Sequence, residues 1–92
     1  MFNMNVQYEG LSLIPSRTAA YEMSRLGIGL EECKHILEYG YEERKRAKGV
    51  IERWFDKGKK TYNVVAVRSF NFMYNEEVWL ITHVGRFTKH EK

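Results

Sequence analysis

The feature that most constrains this chain is a change of vocabulary at Gly49: before it the residues are punctuated by helix caps, and after it they are branched and aromatic. Pro15 closes a leading segment, and Ser16 is a ready N-cap for a helix that sets Ala19, Ala20, Met23 and Leu26 on one side. Gly27 followed by Ile28 has the form of a left-handed cap with its hydrophobic contact, so this helix spans residues 16–26. Gly29 starts a second helix over 30–39. Glu31 and Glu32 stand at the positive end of its dipole, and Leu30, Cys33, Ile36 and Leu37 form its apolar face. Gly40 and Tyr41 repeat the cap pattern, and the charged run 42–48 reads as a solvated loop. Beyond it come candidate strands at 50–55, 62–70 and 78–84, the first two joined through Asp56-Lys57-Gly58-Lys59. The leading segment, with Phe2, Met4, Val6 and Tyr8 at even spacing, is a further strand or an arm laid on the core. The expected class is therefore α+β: two N-terminal helices packed on one face of a twisted antiparallel sheet of three or four strands.

Ninety-two residues make one domain's worth of chain, which leaves no room for a two-domain enzyme. Cys33 has no second thiol to pair with, as expected of a protein of the reducing cytoplasm. Neither a secretion signal nor a membrane-length apolar run is visible; the longest aliphatic run is the four residues 64–67. Eleven glutamates against one aspartate, with Gln7 the only glutamine, lean toward a thermophilic source. The formal charge of +3, from 15 basic against 12 acidic side chains, permits phosphate binding without requiring it.

On the last strand Val78, Leu80, Thr82 and Val84 share one side, expected to face the helices, which turns Trp79 and His83 the other way. The parity of the other strands depends on the turn. A two-residue loop at Lys57-Gly58 sets Glu52 opposite Asn63, whereas a three-residue loop sets it opposite Val64 and on the face of Arg68. Glu52, Arg53, Arg68, His83 and Arg86 then stand out, because charges in or beside strands need a partner or an exit to water. Their types suit metal-independent RNA cleavage, which needs a base for the 2′-hydroxyl proton, an acid for the leaving 5′-oxygen and cations for the charged phosphorus. In that scheme Glu52 is the base, His83 the acid and Arg68 the catalytic cation, while Arg53, Arg86, Lys57, Lys60 and Trp79 hold the RNA.

Each residue has a plainer reading beside this one. His83 is equally a packed strand residue, Glu52 a surface charge beside Arg53, and Trp54 and Trp79 are core or interface anchors. His35 falls on the outer side of a helix and His90 in the tail. The three histidines lack metal-ligand spacing, and no phosphate-binding glycine motif is present, so neither metal nor cofactor is expected.

The run Thr18-Ala19-Ala20-Tyr21-Glu22-Met23-Ser24-Arg25-Leu26-Gly27-Ile28-Gly29-Leu30-Glu31-Glu32, with a charged loop and three strands after it, resembles a small uncharacterised family grouped with the RelE and BrnT toxins. That family opens with His-Ala, Arg-Met and Arg-Gly-Ile; here Ala19, Met23, Gly27 and Ile28 match, and Thr18, Glu22 and Leu26 replace its histidine and two arginines. The resemblance covers roughly residues 18–84. It implies a ribonuclease fold of the barnase and RelE type, active residues on the sheet face away from the helices, and an acidic antitoxin-like partner over that face. Two functions follow from different classes: a metal-independent RNA endonuclease, or a non-catalytic module using the same face, with Trp79 and Tyr62, for a protein or nucleic acid. The chain is expected as a monomer or homodimer with no membrane contact.

Overall fold

The computed structural model describes residues 6–88, so Phe2, Met4 and His90 lie outside the described residues. The elements run β1 (Gln7–Tyr8), β2 (Leu11–Pro15), α1 (Arg17–Leu26), α2 (Leu30–Tyr39), β3 (Val50–Lys57), β4 (Lys60–Asn71) and β5 (Glu76–Thr88).

Both helices begin on the expected signals, and α1 also ends on its expected cap. The Ser16 side chain accepts from the Ala19 N–H at 3.0 Å. Gly27 takes φ 72°, and the Ile28 N–H returns to the Met23 carbonyl at 3.1 Å, so Ile28 folds back onto the core. In α2 the Glu32 carboxylate reaches back to the Gly29 N–H at 2.7 Å. Gly40 departs from the expected left-handed cap, with extended backbone at φ −77°. Its lack of a side chain serves close approach instead: a Cβ there would lie 2.5 Å from the Ile36 carbonyl oxygen and 2.6 Å from that of Trp54. Through this gap Tyr41 exchanges two 2.8 Å backbone bonds with Trp54, tying the end of α2 to the outer edge of β3.

The sheet has five strands in the order β1-β2-β5-β4-β3, where three or four antiparallel strands were expected. The extra pair comes from the leading segment. Glu9 and Gly10 both take positive φ, the type I′ geometry that closes a two-residue hairpin, and β2 then lies parallel to β5. The sheet is therefore mixed rather than antiparallel. Gly58-Lys59 forms the β3–β4 turn, so Glu52 pairs with Val65. That register is neither of the two anticipated, yet its parity puts Glu52 on the face of Asn63 and opposite that of Arg68.

A bulge at Thr82 changes the reading of β5. Val65 pairs with His83, but Ala66 pairs with Ile81. Before the bulge Trp79 and Ile81 join the helix-side core; after it Val84 does. Of the residues expected to face the helices only Val84 belongs to that core, and Trp79, expected on the open face, is 4% exposed within it. That core contains Leu37, Ile81 and Val64, all fully buried, and truncating Leu37 or Ile81 to alanine is worth about 2–5 kcal/mol. No helix among the described residues is long and apolar enough to cross a membrane.

Candidate functional site

β2 stops at Pro15, opposite Ile81, and the Ser16 N–H to Ile81 carbonyl bond of 2.8 Å is the last that it gives β5. Beyond that point one edge of β5 is open, and α1 covers its first exposed donor: Glu22 Oε1 accepts from the Val84 N–H at 2.8 Å. The other oxygen, Oε2, lies 3.1 Å from His83 Nδ1. The carboxylate thus fixes the orientation of the imidazole and leaves Nε2 directed along β5 toward Gly85. A Cβ on Gly85 would stand 3.1 Å from that Nε2, 2.6 Å from Asn63 Oδ1 and 3.3 Å from the Phe87 ring. Three side chains therefore converge over a position that only glycine fits. The His83 side chain is 45% exposed, open enough to meet a solute. A groove beside it, lined by Glu22, Arg25, Leu26, Gly85 and Arg86, runs from the end of α1 across the open edge.

Glu52 lies in the same row as His83 with Val65 between them, two strand spacings or about 10 Å away. It is 5% exposed and tightly engaged: Arg46 donates at 3.0 Å, Arg44 at 3.4 Å and Asn63 Nδ2 at 3.2 Å. Burial by itself would raise this carboxyl, but the bonds from Arg46 and Asn63 and the two arginine charges outweigh it and hold it below its ordinary value. A carboxylate so engaged is an anchor for the 42–48 loop. To act as a base it would have to give up these partners.

The other expected residues divide between the two ends of the helix-side face. Lys57 and Lys60 form the last pair of the β3–β4 hairpin, and Tyr62 pairs with both Phe55 and Arg86, so the two lysines and Arg86 share one shelf beyond the helices. Arg53 stands on the same face but further in, 3.7 Å from Glu42. Arg68 is at the opposite end, 3.2 Å from Glu77 and with its guanidinium 5.4 Å from the Trp79 ring centroid. It is about 13 Å along β5 from His83, counted from its partner Trp79, and on the other face. Arg68 is corrected out of the His83 site by its face and its distance together, and Trp79 by the Thr82 bulge. Arg53, Arg86, Lys57 and Lys60, expected on the open face, share the helix-side face too and so lie opposite His83, with Arg86 nearest to it across the open edge.

Sequence reasoning did not single out Glu22, Arg25, Asn63, Arg44 or Arg46. Asn63 carried a signal, as a lone amide before the aliphatic run of β4, where it is 3% exposed with Oδ1 unpartnered. Glu22 carried none, since its contact depends on where β2 ends. Among the described residues no cluster of three potential metal ligands occurs. Comparison with protein-family models, with curated proteins and with solved structures finds no match to this chain.

Proposed function

We propose that the protein acts on RNA as a metal-independent endonuclease of the RelE and BrnT type. The shelf of Lys57, Lys60 and Arg86 holds the phosphate backbone on the helix-side face, and the strand passes over the open edge of β5 to His83 on the other face, which moves the proton. The observation that carries this reading is the Glu22–His83 pair at 3.1 Å, which orients an accessible imidazole beside a groove lined by Arg25 and Arg86. Arginine suits a phosphate in that groove because its planar fork matches two oxygens at once. His83 takes the role of acid. Glu52, the base of the scheme read from sequence, serves only on release from Arg46 and Asn63, so His83 is the group on which the rate should depend.

A second reading, a non-catalytic module that binds RNA or an acidic protein partner, is favoured by one specific observation. The Glu22 carboxylate that orients His83 also bonds the Val84 N–H at 2.8 Å, so the pair doubles as a latch between α1 and the sheet edge. Cleavage of a mixed RNA pool in chelator separates the two. The endonuclease reading expects products from wild type and a loss of about 10²-fold or more in folded His83→Ala. No cleavage by wild type, or undiminished cleavage by the variant, removes the catalytic role.

A further inference from the structure

We propose that the slot between α2 and the β3–β4 hairpin receives one unpaired nucleobase, an inference that rests on the RNA reading above and names its substrate as single-stranded. Phe55 and Tyr62 are cross-strand partners on the helix-side face, and both are only partly buried. His35 stands over this pair from α2, its ring edge-on to Phe55 at 5.1 Å between centroids and 82° between planes. Ile28 and Ile36 complete the apolar lining, and Glu32 and Lys57 also border the space. The cavity measures about 80 Å³ and is open to solvent on one side, so a single base can enter only in part, its inner edge against Phe55 and Tyr62 and the rest outside.

Charge complementarity identifies the occupant. An apolar slot alone would suit any hydrophobic group, but three cations stand at the hairpin end of this one, against the single carboxylate, Glu32, in its lining: Lys57 lines it, Lys60 pairs with Lys57 at the turn, and Arg86 pairs directly with Tyr62. A ligand with a flat aromatic portion joined to a chain of negative charges fits both parts, and a nucleotide strand is that ligand. Stacking tolerates any base, because each has a π-face, so the slot selects an accessible base rather than a sequence. Duplex RNA keeps its bases stacked inside the helix and offers the slot nothing.

The test uses the whole chain, a dye-labelled octamer of adenosines, the same backbone with every base removed, and a duplex of the same length, read by fluorescence anisotropy. The octamer should bind about 10-fold more tightly than the abasic strand, the scale of one stacked base. The duplex should bind no better than the abasic strand. Tyr62→Leu and Phe55→Leu should each erase the octamer's advantage while leaving abasic affinity unchanged. Because either variant could unfold, nuclear magnetic resonance of wild type titrated with adenosine monophosphate gives a second readout, with shifts expected at the rings of Phe55, Tyr62 and His35. Equal binding of octamer and abasic strand, or ring signals that do not move, overturns the slot and leaves the phosphate shelf standing. Failure of every strand to bind overturns the RNA reading and the slot together.

Discussion

Glu52→Gln separates an anchoring carboxylate from a catalytic one. The native group is 5% exposed and accepts from Arg46, Arg44 and Asn63. A glutamine keeps the shape but offers one neutral acceptor oxygen to Arg46 and Arg44, and its amide N–H finds an acceptor only if Asn63 flips to present Oδ1 and leaves its own Nδ2 without this partner. At least one charge-assisted bond is lost, worth about 1.5–3 kcal/mol, and Arg46, with its side chain only 33% exposed, loses its counter-charge. The expected cost is about 2–4 kcal/mol, a large share of the roughly 5–15 kcal/mol that holds a domain together. In urea, with a slope of about 1–1.5 kcal/mol/M for so small a chain, the midpoint should fall by about 1.3–4 M. The pH dependence carries a sign. Because the folded carboxyl is held below its ordinary 4.5, its contribution is fully present above that value and is lost as pH falls through the lowered native one. The gap between wild type and variant should therefore be widest near neutrality and close in acid. A variant as stable as wild type at pH 7, or a gap that does not narrow with acid, would refute the anchoring argument.

Other outcomes follow from the same geometry. Gly40→Ala should cost about 2–3 kcal/mol by denaturant melt, because the new Cβ meets the Ile36 and Trp54 carbonyl oxygens at 2.5 and 2.6 Å and disrupts the Tyr41–Trp54 bridge. Cys33 is fully buried, and burial, with the nearby Glu32 charge adding to it, pushes its thiol up to about 12. The native protein should resist a thiol reagent at pH 8, whereas the urea-unfolded chain should react at once; rapid labelling of the folded form would contradict that placement.

The helices were legible because their boundaries rest on local chemistry: Ser16, Gly27 and Gly29 act on neighbours a few residues away. The sheet was legible only in part. Which residues form β3, β4 and β5 follows from side-chain type, but register depends on a single residue at each turn, and a turn at Gly58-Lys59 shifts every pair. The Thr82 bulge has no signature in the sequence. It is also why His83 stands on the open face as read while Trp79 does not: the inverted alternation before the bulge is restored after it. The Glu9-Gly10 hairpin had its glycine in view, but a glutamate at positive φ is uncommon, and the parallel pairing of β2 with β5 joins residues more than sixty positions apart. Of the candidate site, the shelf of Lys57, Lys60 and Arg86 and the histidine were visible as residue types. Glu22 was not, because its role is created where β2 stops beside β5, and that parallel pairing was not legible although Pro15 marked the end of the segment.

The salt dependence of binding to a short single-stranded RNA tests the central claim most directly, since the shelf acts through phosphate contacts. With Lys57, Lys60 and Arg86 each neutralising one phosphate, the logarithm of the association constant should fall against the logarithm of salt with a slope of about −2, or about 0.7 per contact. Arg86→Ala should make that slope shallower by about one contact and weaken all RNA sequences alike. A complex indifferent to salt, or an Arg86→Ala protein with an unchanged slope, would contradict the account.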